Sequence, residues 1–128
     1  MNLLLDTHAL LWWSEADPRL SAFAKRIMAE PKTEIFVSAA SAWEICTKAR
    51  LGKLFGAEEM TGNFSRFLAA RKLTPLAVTV AHAQLAGNLT GDRKDPFDRM
   101  LAAQAIVEDM PLVTADVAFK VFNVRTLW

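Results

Sequence analysis

The sequence predicts an α/β protein of three layers, a central parallel sheet of about five strands with helices on both faces. Three observations predict it. Short apolar runs bounded by turn residues alternate with segments of helical spacing. The runs are too short and too uniformly apolar for half-exposed strands, so they read as strands buried on both faces. Three of them, Asn2–Leu5, Glu34–Val37 and Leu112–Thr114, lead into helical patterns that carry an acid near their start.

Taken in order, Asn2–Leu5 is an apolar run that ends at Asp6 and flows into ALLWW, a helix stopped by the turn signal Ser14–Pro18. Leu20–Glu30 has helical spacing and stops before Pro31. Glu34–Val37 is β-branched and aromatic enough for a second strand, closed by Ser38. Ala42, Ile45, Cys46 and Ala49 then follow i, i+3, i+4, i+7, an amphipathic helix for which Gly52 is a natural stop. Phe64–Lys72 reads as helix, Leu76–Thr79 as a third strand and Ala81–Asn88 as helix. Asp95-Pro96-Phe97-Asp98 opens a run through Val107 that is apolar on nearly every face except at Gln104, the pattern of a buried helix. Leu112–Thr114 is a fourth strand, Ala118–Val121 a helical turn and Val124–Leu127 a closing strand.

Length fits one domain over 1–128, large enough to bury a core without staples. The apolar fraction of 52% comes in separated runs, none near the ~20 residues that span a bilayer, and Asp6 interrupts the only signal-like stretch. No membrane association and a cytoplasmic location are expected. Cys46 stands alone and only His8 and His82 accompany it, which excludes an intrachain disulfide and argues against a thiolate and imidazole zinc site. Any metal chemistry must use oxygen.

Oxygen ligands are present. Asp6, Glu44, Asp98 and Asp116 each sit near the beginning of a helical pattern, and parallel strands would bring their carboxyl ends to one sheet edge, where open α/β folds bind ligands. Capping explains each acid singly: Asp6 and Asp116 as N-caps, Ser41-Ala-Trp-Glu44 as a capping box, Asp98 as the third residue of a helix begun by Asp95 and Pro96. Four acids around one edge exceed what capping asks for. Converging carboxylates repel unless a cation lies between them, and Mg²⁺ or Mn²⁺ is the hard ion such a set suits. The substrate that matches is a phosphodiester.

Lys48, Arg50 and Lys53 follow Glu44, while Arg93, Lys94 and Arg99 bracket Asp95 and Asp98, a placement that suits a nucleic-acid backbone although the net charge is only +1. The plainer reading makes Glu44 and Lys48 an i,i+4 pair and leaves the others on a solvated surface. His82 reads as structural, His8 as a cleft-lining group, and Trp12, Trp13 and Trp43 as packing residues; no Gly-rich phosphate loop is present.

These residues carry a resemblance. LLLDTHALLWW, SAASAWEICTKARLGKL, DPFDRMLAAQA and LVTADVAF, in that order and nearly end to end, resemble the four acidic motifs of the PIN-domain ribonucleases, and among them the VapC-like toxins of bacterial type II toxin–antitoxin modules. The resemblance implies a PIN-like fold in which Asp6, Glu44, Asp98 and Asp116 form the acidic quartet, with Asp6 and Asp98 at the positions most directly involved in Mg²⁺ binding. It implies that Asp95 supports the helix or stands behind the metal ligands, and that Thr7 and Thr114 are small polar groups beside the metal. It implies an endoribonuclease that hydrolyses RNA with water as nucleophile, a homodimer, and a cognate antitoxin that blocks activity. Where the subgroup often has a His two residues ahead of the first Asp of the third motif, this chain has Arg93. Two rivals stand beside this reading. One is a catalytically degenerate PIN-fold protein that binds RNA or a partner. The other is a haloacid dehalogenase-type phosphatase, whose second Asp would fall where His8 stands.

Overall fold

A computed structural model describes residues 1–128. Five parallel strands, β1 (Asn2–Leu5), β2 (Glu34–Ser38), β3 (Thr74–Leu76), β4 (Leu112–Val113) and β5 (Thr126–Leu127), form one sheet in the order β3-β2-β1-β4-β5. The chain starts in the middle, walks outward through β2 and β3, then crosses to the other side of β1 for β4 and β5. Strand order therefore reverses around β1, and the crevice at its carboxyl end is the topological switch point. Leu5 is level with Val37 on one side and Val113 on the other, so the residues that follow these three begin together at that crevice.

The helices are α1 (Thr7–Ser14), α2 (Ala22–Ala29), α3 (Ala39–Arg50), α4 (Glu58–Gly62), α5 (Phe64–Ala70), α6 (Val80–Asn88) and α7 (Pro96–Val107), with a 3₁₀ helix at Val117–Phe122. Strand alternation sorts them into two layers. Leu3, Leu5, Val37 and Val113 face a larger core shared with Leu10, Ile45 and Phe67. Leu4 and Leu112 face a smaller one made with Leu101, Ala102 and Phe119. Both faces of the sheet are covered, as the uniformly apolar strands require. No helix is long and apolar enough to cross a membrane.

The strand expected at Leu76–Thr79 lies instead at Thr74–Leu76, with Pro75 inside it. β3 is an edge strand, the place in a sheet where a missing N–H is tolerated. The closing strand is shorter than Val124–Leu127, and α4, five residues long without a side-chain cap, was too brief to show a period. Gly52 does end α3: its φ of 73° lets Lys53 N–H reach back to the Lys48 carbonyl at 2.9 Å.

Candidate active site

Polar burial is concentrated at the switch point. Of the eight buried polar or charged residues, Asp6, Thr7, Ser38, Ser41, Glu44 and Thr114 lie at or just beyond the carboxyl ends of β1, β2 and β4. Burying such groups is costly unless each is partnered, so their hydrogen bonds define what the cleft holds in place.

Asp6 divides its two oxygens. Oδ1 caps α1, accepting from Ala9 N–H at 2.7 Å, while Oδ2 accepts from the Thr114 hydroxyl at 2.5 Å across the β1–β4 crevice. The register makes that meeting unavoidable, because Leu5 and Val113 are partners and Asp6 and Thr114 follow them. Burial pushes the Asp6 carboxyl up to about 6, against the pull of Thr114, Ala9 N–H and His8; the charge of Asp98 adds to the rise. Desolvation is the largest of these contributions.

Asp116 repeats the arrangement: Oδ1 caps the 3₁₀ helix through Ala118 N–H at 2.9 Å, leaving Oδ2 for the cleft. In each of these two acids one oxygen caps a helix and the other is turned to a partner across the cleft, Thr114 for Asp6 and Arg93 for Asp116. Asp95 begins α7 as expected, its Oδ1 accepting from Phe97 and Asp98 N–H at 2.9 and 3.1 Å, whereas the Asp98 side chain bonds Arg93 instead of reaching back to the cap. The Asp98 carboxylate is free to face inward, and burial holds it above the usual carboxylate range although Arg93 pulls it down.

Glu44 overturns the capping-box reading. α3 starts earlier than the pattern indicated, with Ser38 as its N-cap, and this sets Glu44 in the second turn, buried. Its Oε1 accepts from the Thr7 hydroxyl at 2.6 Å, with Ser41 Oγ 3.1 Å from Thr7, and its Oε2 from Lys48 Nζ at 2.5 Å. All four acids line one cavity of about 110 Å³, together with Arg93 and Phe119. Phe119, which forms the apolar floor, carried no sequence signal beyond its place in the apolar pattern of the fourth motif.

The expected backbone-binding cations separate into distinct environments. Arg93 sits inside the cleft, its Nε 2.7 Å from Asp98 Oδ2 and its Nη2 2.7 Å from Asp116 Oδ2. Lys48 is paired with Glu44. Arg99 is not a surface cation: its guanidinium donates to the carbonyls of Ala86, Leu89 and Arg93, tying the loop before α7 to the end of α6. Arg50, Lys53 and Lys94 stand exposed. His82 is structural, as expected. It is fully buried, its Nδ1 accepts from Thr79 N–H at 3.0 Å and its Nε2 lies 2.9 Å from Glu108. Trp12 and Trp13 pack on the larger core, whereas Trp43 is 65% exposed, edge-on to Phe97 at the surface.

As the side chains stand, no three His, Cys, Asp or Glu groups form a cluster able to grip one ion. A guanidinium lies between two of the acids and an ammonium against a third. The chemistry of the donor set nonetheless fits a hard divalent ion, since carboxylate and hydroxyl oxygens face the cavity and neither sulfur nor a convergent pair of imidazoles does.

A carboxylate-lined cleft at the switch point of a five-stranded parallel sheet defines the class to which the chain belongs, α/β proteins whose site is assembled from the loops beyond the strand ends. The chain belongs to the PIN domain family, whose model matches residues 3–124. That membership sets aside the haloacid dehalogenase reading. VapBC2 from Rickettsia felis, solved bound to promoter DNA, has a chain similar to this one with a TM-score of 0.73 at 20% identity, covering 99% of this chain and 98% of that one. VapBC-1 from nontypeable Haemophilus influenzae gives 0.73 at 16% identity, over 99% and 97% of the two chains. VapC20 from Mycobacterium tuberculosis, a sarcin-ricin loop cleaving toxin, gives 0.63 at 15%, over 95% of each. At these identities the likeness is one of fold. A search of curated protein sequences returned no significant match.

Proposed function

We propose that this protein is an endoribonuclease that hydrolyses RNA phosphodiester bonds with Mg²⁺ or Mn²⁺, and that it is the cytoplasmic toxin of a type II toxin–antitoxin pair. One observation supports the reading above others: acids from four separate elements line a single cleft, and two of them keep one oxygen clear of their capping duty. Family membership and the structural neighbours, VapBC complexes and the RNA-cleaving VapC20, point the same way.

Asp6, Asp98 and Asp116 are the acids that would hold the ion, with Glu44 completing the set. The chemistry a divalent ion held by these residues would supply is Lewis acidity toward the attacking water and the phosphoryl oxygens. The chain's own residues do the positioning. Thr114 fixes the outer oxygen of Asp6, Thr7 and Lys48 fix the two oxygens of Glu44, and Asp95 holds the first turn of α7 so that Asp98 faces inward. Arg50 and Lys53, with Arg93 at the cleft, are the cations placed for the RNA backbone, which they would contact without reading sequence.

The test is RNA cleavage by Asp6→Asn and Asp98→Asn beside the unaltered protein, with Mg²⁺ or Mn²⁺ and with chelator. Each Asn keeps shape and removes a metal-binding charge, so activity is expected to fall at least a hundredfold, about 2.7 kcal/mol of transition-state stabilisation, while thermal melting still shows a cooperative fold. Full activity in either variant, or in chelator, refutes the metal-dependent reading, whereas RNA binding without cleavage by the unaltered protein leaves the degenerate alternative.

A further inference from the structure

We propose that Arg93 is the resident counter-cation of the acidic cleft, holding Asp98 and Asp116 in the ion-free protein, so that a divalent ion enters only by displacing it; this rests on the metal-dependent reading above. The geometry is that of a plug. One guanidinium spans two carboxylates from different elements, α7 and the 3₁₀ helix, with Nη2 2.6 Å from Asp98 Oδ2 and 2.7 Å from Asp116 Oδ2. A planar fork can bridge two carboxylates in this way, whereas an ammonium acts as a point charge. The same guanidinium lies over the Phe119 ring at 5.7 Å, so the floor of the cleft supports it as well.

The loop that carries Arg93 is seated to deliver it. Arg99 donates to the Arg93 carbonyl at 3.0 Å and to Leu89 and Ala86, clamping both ends of the segment. Between them Gly91 has a φ of 126°, and a Cβ there would lie 2.7 Å from Val121 Cγ2, so the loop comes down on the 3₁₀ helix where only glycine fits. An ion that needs Asp98 and Asp116 meets a site whose competent form is a fraction of the population, and its apparent affinity is reduced by that fraction. Arg93 also gives the chain an internal answer to the repulsion of its carboxylates when no metal is bound.

Mn²⁺ titration calorimetry on the full chain tests this, comparing the unaltered protein with Arg93→Gln, Arg93→Lys and Lys94→Gln. Lys94 is exposed in the same loop and removes one charge without a place in the cleft. Displacement predicts that Arg93→Gln binds Mn²⁺ on the order of tenfold more tightly, that Arg93→Lys falls between, and that Lys94→Gln changes affinity by about twofold or less through screened charge alone. In chelator, Arg93→Gln should melt lower than the unaltered protein and gain more from added Mn²⁺. Equal or weaker binding by both Arg93 variants overturns the inference, as does an equal gain in Lys94→Gln, which would make the effect one of net charge. Absence of Mn²⁺ binding in every protein would overturn the metal-dependent reading as well, whereas equal affinities in all overturn the inference alone.

Discussion

At the scale of the residue, Asp6 shows how one side chain serves the fold and the site together. Its capping oxygen could be supplied by Ser, Thr or Asn, so the carboxylate itself is surplus to helix initiation. That surplus has a cost. The folded state holds the Asp6 proton up to about pH 6 against a reference of 3.8, so the folded state binds more protons than the unfolded one between those values. Ion-free stability therefore falls as pH rises through that window, and above it the full penalty is about 3 kcal/mol, from roughly 1.4 kcal/mol per pK unit. Asn at this position keeps the cap and carries no charge. In chelator at neutral pH Asp6→Asn should be more stable than the unaltered protein by up to about 3 kcal/mol, with the difference vanishing toward pH 4. Denaturant titrations across that range check it, and a variant less stable at every pH would show that the Thr114 contact outweighs the desolvation. Asp98, also raised by burial, pushes in the same direction.

At the scale of the element, what was legible in the sequence was whatever local rules fix. β1, α1, α6 and α7 announced themselves through apolar runs and caps, and the acids of the four motifs do line one cleft. The start of α3 was misread because Ser41-x-x-Glu44 imitates a capping box, while Ser38, three residues earlier, is the cap; the competing signal lay in β2 running one residue further. β3 was misplaced because Pro75 argues against a strand unless its edge position is known, and order within a sheet is not a local property. Arg93 and Arg99 looked alike in sequence, two cations flanking the same motif. Tertiary structure separates them, Arg93 into the cleft and Arg99 onto backbone carbonyls. The loop between α6 and α7 depends on Gly91 in the same non-local way. Gly91→Ala should destabilise the chain by about 1–3 kcal/mol, through strain at positive φ and the contact with Val121. Because it unseats Arg93, it should also raise Mn²⁺ affinity relative to an Ala substitution at exposed Gly62, where an added Cβ meets nothing. Lower stability with unchanged Mn²⁺ binding would separate the loop's structural role from its hold on the cleft.

At the scale of the whole molecule, the surfaces around the cleft suggest how such a site is assembled and silenced. Trp43 and Phe97, the neighbours in sequence of Glu44 and Asp98, wall an apolar groove of about 340 Å³; sedimentation of the unaltered protein beside Trp43→Arg tests whether a second copy covers it, a shift to monomer being the outcome expected of such a dimer. A second groove of about 330 Å³ has Leu11, Trp12, Ile45 and Leu54 as its apolar lining beside Glu15, Arg19 and Lys53, and it shares Thr7, His8 and Lys48 with the acidic cavity. One peptide can therefore occupy both, its apolar part seated against Trp12 and a basic side chain carried on into the carboxylates. The partner expected from the toxin reading is an antitoxin whose C-terminal segment does this, with an Arg or Lys reaching Asp6, Asp98 or Asp116. Since Arg93 already engages Asp98 and Asp116, an inserted base gains little net energy unless it displaces that side chain, and ordering the segment costs free energy of its own. Most of the affinity should accordingly come from the apolar groove. Replacing the partner's inserted base by Ala should restore RNA cleavage while weakening binding by about tenfold or less, whereas replacing its apolar anchor should cost on the order of a hundredfold, about 2.7 kcal/mol. Calorimetry and a cleavage assay on the same complexes measure both, and a complex that inhibits fully with the acidic cleft open to solvent would show that inhibition works by another route.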